Sequence, residues 1–212
     1  MINNKTVIIS CAGIGKRLGI GKTKALVEID DIPLIVRTIN MLKDVSDVRI
    51  VVGFQAEEVI NVVSKYRKDI LYVFNHDYMN NGTGASVSLA TKYAKEYVLT
   101  IDGDLLLHPD DMKDLLNDND EFVGVTKIGS DNPVKTTIDN GNVVKFSREE
   151  GQFEWTGVCQ VKSERLKPGL GHVYQLIEDL LPLKSKYIRT KEIDTMNDYD
   201  NAVKWVRNNY SD

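Results

Sequence analysis

Four apolar runs of strand length, Val7–Ser10, Val48–Gly53, Ile70–Asn75 and Tyr97–Ile101, are separated by stretches with helical spacing. The runs are nearly continuous rather than alternating, as expected of strands covered on both faces. The intervening segments read as helices over Ile32–Lys43, with Pro33 in the first turn and Leu34, Ile35, Ile39 and Leu42 on one face, and over Ala56–Tyr66 and Thr83–Lys95. Strand and helix in this order imply βαβ units, a parallel sheet and helices on both of its faces. The pattern therefore predicts an α/β fold with a Rossmann-like, mainly parallel sheet.

After Asp102-Gly103-Asp104 the pattern changes. Pro109–Leu116 reads as a short helix and Glu121–Lys127 as a strand. Val134–Asp139 and Val143–Ser147 flank Asn140-Gly141-Asn142, a strong hairpin signal because Asn-Gly readily takes positive φ. A strand is expected over Trp155–Val161, and helices over Val173–Leu181 and Asn197–Asn208. No linker divides the 212 residues, so one domain with a β-hairpin insertion in its second half is expected over 1–212. A net charge of −4, with no basic stripe beyond the N-terminal loop, argues against a nucleic-acid partner. No apolar run approaches a membrane span, and the polar Met1–Thr6 lead directly into a strand, so a cytoplasmic protein without a signal peptide is expected. Cys11 and Cys159, far apart and each in an apolar segment, read as two buried reduced thiols.

The chemistry concentrates in the loop that follows the first strand. Gly13 and Gly15 let backbone N–H groups close on an anion, and Lys16, Arg17, Lys22 and Lys24 add four cations within nine residues. This combination points to a phosphate ligand with more than one phosphate. A dinucleotide fingerprint needs a third glycine where Leu18 stands. A P-loop ends in Gly-Lys-Thr, as Gly21-Lys22-Thr23 does, but Gly15 lies one residue too far upstream and the strand-like run from Ala25 to Ile29 leaves no room for the helix it requires. The remaining reading is a loop that wraps a whole nucleoside triphosphate.

Ala12-Gly13-x-Gly15-x-Arg17-Leu18, then Lys24-Ala25-Leu26 and Ile32-Pro33-Leu34-Ile35, resembles the N-terminal signature of the nucleotidylyltransferases that activate phosphorylated sugars, polyols and alcohols. Ser10-Cys11 and Thr23 depart from the usual pattern without removing a charge. Asn75-x-x-Tyr78-x-x-Asn81-Gly82-Thr83-Gly84-Ala85-Ser86 resembles that family's base-contacting segment, Asp102-Gly103-Asp104 its strand-end acid motif, and Glu192-Ile193-Asp194-Thr195 its C-terminal carboxylate segment. The motifs follow family order over residues 7–199, and the nearest resemblance is to cytidylyltransferases for phosphocholine or inositol 1-phosphate.

The resemblance implies a glycosyltransferase-A-like nucleotidyltransferase fold, with nucleotide bound by residues of about 1–104 and acceptor by those of about 105–212. It implies Mg²⁺ on Asp104 and Asp194, with Arg17 at the leaving pyrophosphate and Lys24 bridging the α-phosphate and the incoming phosphate. Ala12, Gly13, Gly15, Lys16, Asn81, Gly82, Thr83, Ser86 and Asp102 are the expected nucleotide contacts. Lys135, Lys145, Trp155 and Gly157, with Arg148 nearby, are candidates for the acceptor. The expected reaction joins a nucleoside monophosphate, foremost from CTP, to a small phosphorylated alcohol, polyol or phosphonate such as phosphocholine. Partners would be the triphosphate and the acceptor, with the chain a monomer or homodimer. A sugar-1-phosphate nucleotidylyltransferase using UTP, dTTP or GTP is the alternative, and a glycosyltransferase a weaker one, because a diphosphate donor needs no triphosphate cradle.

Overall fold

The computed structural model describes residues 1–15 and 21–210. In chain order the elements are β1 (Ile2–Cys11), a 3₁₀ turn at Lys24–Leu26, β2 (Glu28–Ile29), β3 (Ile32–Pro33), α1 (Leu34–Met41), β4 (Val45–Val52), α2 (Ala56–Val63), β5 (Leu71–Phe74), α3 (Thr83–Ala90) and β6 (Tyr97–Asp102). There follow β7 (Leu105–Leu107), α4 (Pro109–Asn117), β8 (Phe122–Thr126), β9 (Lys135–Asp139), β10 (Asn142–Ser147), β11 (Phe153–Lys162), α5 (Val173–Ile177), β12 (Leu183–Tyr187), β13 (Thr190–Glu192) and α6 (Met196–Asn209).

Nine of these strands form one sheet in the order β5-β4-β1-β6-β11-β8-β12-β10-β9. The first four are parallel to one another, β11 runs antiparallel to β6 and β8, and β12 returns parallel to β8. The expected α/β architecture with a mixed sheet, parallel through the strands of the first half, is the observed one. Helices cover both faces. Buried side chains of α1, α2 and α4 pack with Val7, Ile9, Ile50 and Leu99 on one side. Val87 and Ala90 of α3 and Val173 and Ile177 of α5 pack with Ile8, Val51 and Val98 on the other. This alternation along β1 and β4 is the period-2 arithmetic of a strand buried twice over.

The expected hairpin is present, with Asn140 and Gly141 both at positive φ. The second half differs from expectation in its closure. Thr136 and Lys135 of β9 also pair with Phe153 and Glu154 of β11, so β11, β8, β12, β10 and β9 curl back on themselves beside β6. Helix α3 stops at Ala90, short of the expected Lys95. The buried guanidinium of Arg49 on β4 donates to the carbonyls of Ala90, Lys92 and Tyr93, and Tyr93 takes φ 57°. That arginine satisfies carbonyls that a helix end leaves open, a tertiary cap that no local pattern announces.

Candidate active site

The ends of β1 and β6 open into a cleft of about 450 Å³ at the carboxyl edge of the parallel strands, the usual ligand position in open α/β sheets. Register brings its floor together: Ser10 lies opposite Asp102, and the Gly103 N–H donates to the Ser10 carbonyl at 2.9 Å. A Cβ on Gly103 would stand 2.4 Å from the Cys11 sulfur, so the chain turns here only without a side chain. Gly157 on β11 crosses above Asp102 with φ +82°, and a Cβ there would sit 2.6 Å from the Asp102 carboxylate. Positive φ and close approach together demand glycine at this position.

The carboxylates arrive by two routes. Asp104 follows β6 directly. Glu192 and Asp194 are delivered by β13, which pairs antiparallel with β7 so that Glu192 lies opposite Leu105. Asp194 then precedes α6, whose start is fixed by a capping box between Thr195 and Asp198. Ligand oxygens of Asp104, Glu192 and Asp194 come within 4.8 Å of one another. The Lys24 ammonium stands among them, 2.7 Å from Asp104, in contact with Asp194 and 4.0 Å from Glu192. Burial works against its charge, but the Asp104 and Asp194 carboxylates prevail and hold its pKa above the usual lysine range. Burial pushes the Asp102 carboxyl well above its ordinary value, and the Asp104 and Glu192 charges add to the shift.

Three carboxylates gathered around one cation are a hard, all-oxygen donor set, which suits Mg²⁺ rather than a metal that prefers nitrogen or sulfur. The residues therefore fit the ion that the family resemblance implies. Glu192 is the addition that sequence reading missed. The alternation Glu192-Ile193-Asp194, with Ile193 fully buried between two acids at and just beyond the end of β13, could have signalled it.

Lys24 is held by its own neighbours. The Thr23 N–H donates to the Gln55 side-chain oxygen at 2.8 Å, and the Gln55 amide donates to the Gly21 carbonyl at 3.3 Å. Gln55, at positive φ just before α2, thus pins the downstream arm of the loop and had no sequence signal. Gly13, Gly15, Thr83 and Asp102 of the expected nucleotide contacts line the cleft. Ala12 packs in the core and accepts from the Phe54 N–H. Lys16 and Arg17 lie outside the described residues.

Residues of the Gly82–Ser86 segment also make contacts within the protein. The Gly82 N–H donates to the Leu170 carbonyl, and a Cβ on Gly82 would fall 2.5 Å from the Gly171 carbonyl oxygen, so this glycine seats α3 against the 170–172 loop. Thr83 faces the cleft while its hydroxyl accepts from the Val173 N–H at 3.3 Å. Asn81 and Ser86 both accept from the buried Asn75 amide, at 2.9 and 3.0 Å, and neither is among the cleft-lining residues.

On the far side the cleft is walled by Trp155 and Gly157 of β11, by the 130–134 loop, by Arg148 and by the start of α5. Trp155 is edge-on to Phe146 with ring centroids 5.7 Å apart. Lys135 and Lys145 stand elsewhere. Lys135 donates to the Glu149 carbonyl at 2.9 Å, and Lys145 pairs with Glu150 at 2.6 Å on the exposed face. The cause is strand alternation: β10 shifts register between Val143 and Lys145, and Phe146 rather than Lys145 turns inward. Cys11 and Cys159 are free and buried, and burial pushes the Cys159 thiol up to about 12.

Comparison with known proteins follows the same lines. The family model for the MobA-like NTP transferase domain matches residues 7–137. The bifunctional protein GlmU of Methanococcus vannielii is 27% identical over 190 residues, covering 82% of this chain and 43% of that protein. The chain thus spans less than half the length of that curated relative. In three dimensions it is similar to the CTP:phosphocholine cytidylyltransferase LicC from Streptococcus pneumoniae (TM-score 0.77, 19% identity, 97% of this chain and 100% of that one). It is also similar to the inositol-1-phosphate CTP transferase from T. maritima (TM-score 0.79, 19% identity, 99% and 96%). Both likenesses extend over the whole sheet, the curled second half included.

Proposed function

The chain belongs to the family of MobA-like NTP transferase domains, and on that premise we propose that it is a nucleotidylyltransferase for a small phosphorylated alcohol, polyol or phosphonate, with CTP as the nucleotide donor. One observation carries the reading: a glycine loop, a lysine and three carboxylates meet at one end of a cleft whose other end is walled by the second half of the chain. Residues 1–212 act as one catalytic unit, nucleotide on the first half and acceptor on the second. The preference for CTP is supported by the two structural neighbours, which are cytidylyltransferases by name.

In the reaction an acceptor phosphate oxygen attacks the α-phosphorus, a new P–O bond forms, and the bond to the β-phosphate breaks with release of pyrophosphate. The nucleophile is already anionic, so the protein's task is to hold two anions together and stabilise the charge. A Mg²⁺ ion held by Asp104 and Asp194, with Glu192 beside them, would neutralise triphosphate charge when bound. Lys24, whose ammonium lies against the same carboxylates, reaches the α-phosphate and the incoming phosphate. Gly13 and Gly15 bring main-chain N–H groups to the triphosphate, and Arg17 takes the leaving pyrophosphate. Asp102, beneath Gly157, closes the floor between the two substrates.

The test is pyrophosphate release with Mg²⁺ from each of the four triphosphates, against phosphocholine, 2-aminoethylphosphonate, inositol 1-phosphate, glycerol 3-phosphate and several sugar 1-phosphates. Acceptor-dependent release that is fastest with CTP is expected. Release only with a sugar 1-phosphate and UTP, dTTP or GTP would replace the reading with the sugar-phosphate one. Turnover of a nucleotide-sugar, without acceptor-dependent release from any triphosphate, would overturn nucleotidyl transfer altogether.

A further inference from the structure

We infer that the acceptor carries a second anionic group, a carboxylate or phosphate, at the end remote from its attacking phosphate, and that Arg148 recognises it. The inference rests on the proposed nucleotidyl transfer and narrows its acceptor. Arg148 follows β10, and β10 is separated from β6 by β9 and β11. At about 4.8 Å per strand that is roughly 14 Å of sheet. Arg148 is exposed and is one of the residues lining the cleft; its guanidinium lies 5.8 Å from the centre of the Tyr174 ring and donates through Nη1 to the Asn132 carbonyl at 2.8 Å. One ring face and one carbonyl hold the guanidinium at this wall, and the Nη1 bond is its one hydrogen bond among the described residues, so donors of the five-donor fork remain for a ligand.

The nucleotide gives this cation nothing to meet. A triphosphate brings its charge to the glycine loop and Lys24, while base and ribose carry none. The acceptor's own phosphate must lie against the α-phosphate to react, and so at the carboxylate end of the cleft. The partner left for Arg148 is a further negative group on the acceptor.

The surroundings also disfavour a cationic acceptor. Glu154 is the one carboxylate lining this half of the cleft among the described residues, and it is spent on the 129–130 turn. It accepts from the Gly129 and Ser130 N–H groups at 2.8 and 3.1 Å and from the Ser130 hydroxyl. Arg148 already stands over Tyr174, so a quaternary ammonium would meet a guanidinium there instead of an open aromatic face.

Three phosphates of similar reach separate the possibilities: 3-phosphoglycerate with a distal carboxylate, glycerol 3-phosphate with a neutral end, and phosphocholine with a cationic one. Initial rates would be measured with Mg²⁺ and the preferred triphosphate, and dissociation constants on enzyme loaded with a non-hydrolysable analogue of it. The expected result is a preference for 3-phosphoglycerate of about ten- to hundredfold, the worth of a charge-assisted contact. It should collapse in Arg148→Gln and survive in part in Arg148→Lys. Equal or weaker binding of 3-phosphoglycerate, or a preference that persists in Arg148→Gln, overturns the inference. Absence of acceptor-dependent pyrophosphate release with every triphosphate counts instead against nucleotidyl transfer, and the affinity ranking still decides the role of Arg148.

Discussion

Two lysines, Lys5 buried and Lys24 half-buried, stand at opposite edges of the same sheet, and their surroundings are opposite in kind. Lys24 sits at the carboxyl edge among Asp104, Glu192 and Asp194, and these charges keep it protonated. Lys5, near the start of β1, is fully buried and donates to neutral acceptors: the Gln160 amide oxygen at 2.7 Å, the Leu115 carbonyl at 3.3 Å and the Asp118 carbonyl. Burial lowers its pKa to about 8, against the attraction of Asp118. A lysine bonded to carbonyls ties β1 to the end of α4 and to β11. One bonded to carboxylates holds an excess of negative charge in balance at a place where a metal and a triphosphate would bring their own. Burial of an ammonium is common to both, and the charge on the partners separates support from chemistry.

The largest effect should come from the carboxylates. Asp104→Ala or Asp194→Ala is expected to lower kcat/KM by about 10²–10³-fold or more, the scale of losing transition-state charge stabilisation. The circular dichroism spectrum should remain native. Full activity in either variant would break the contrast between the two edges at its root.

Lys24→Met removes the cation from three carboxylates. Turnover should fall about a hundredfold. Without Mg²⁺ the fold should lose a few kcal/mol, as when one member of a buried pair is removed. Denaturation with and without Mg²⁺ checks this, because the ion should restore much of the loss.

Lys5→Met is expected to cost about 1–3 kcal/mol at pH 7, from carbonyls left without a donor, with kcat per folded molecule unchanged. Its pH dependence supplies the finer test. Between the folded pKa of about 8 and the unfolded value of 10.5 the unfolded chain binds more protons. Wild-type stability should therefore rise with pH across that window, relative to Lys5→Met, by roughly 3 kcal/mol at most. A flat difference in urea denaturation midpoints between pH 8 and 10.5 would remove Lys5 from the comparison.

Much of the fold was legible because strands buried on both faces leave near-continuous apolar runs: Val7–Ser10 lies within β1, and Val48–Gly53 passes the end of β4 by one residue. The short strands β7, β12 and β13 were not legible. Leu183-Lys184-Ser185-Lys186-Tyr187 has neither an apolar run nor clean alternation, and it is a strand because β8 and β10 lie beside it. The site divides in the same manner. Gly13, Gly15, Lys24, Asp104 and Asp194 could be picked out as residue types at suggestive spacing. Gln55, Glu192 and the place of Arg148 at the cleft wall depend on segments that meet only across the fold.

By itself the sequence determined which residues carry charge and which strands are buried, because hydrophobic period and glycine placement are local properties of the chain. Only the tertiary structure decided how those charges group. The pairing of β13 with β7 brings Glu192 and Asp194 to Asp104, and the register shift in β10 turns Lys145 out and Phe146 in. Long-range register is set by the packing of whole faces, and a one-residue step reverses which side chains reach the cleft.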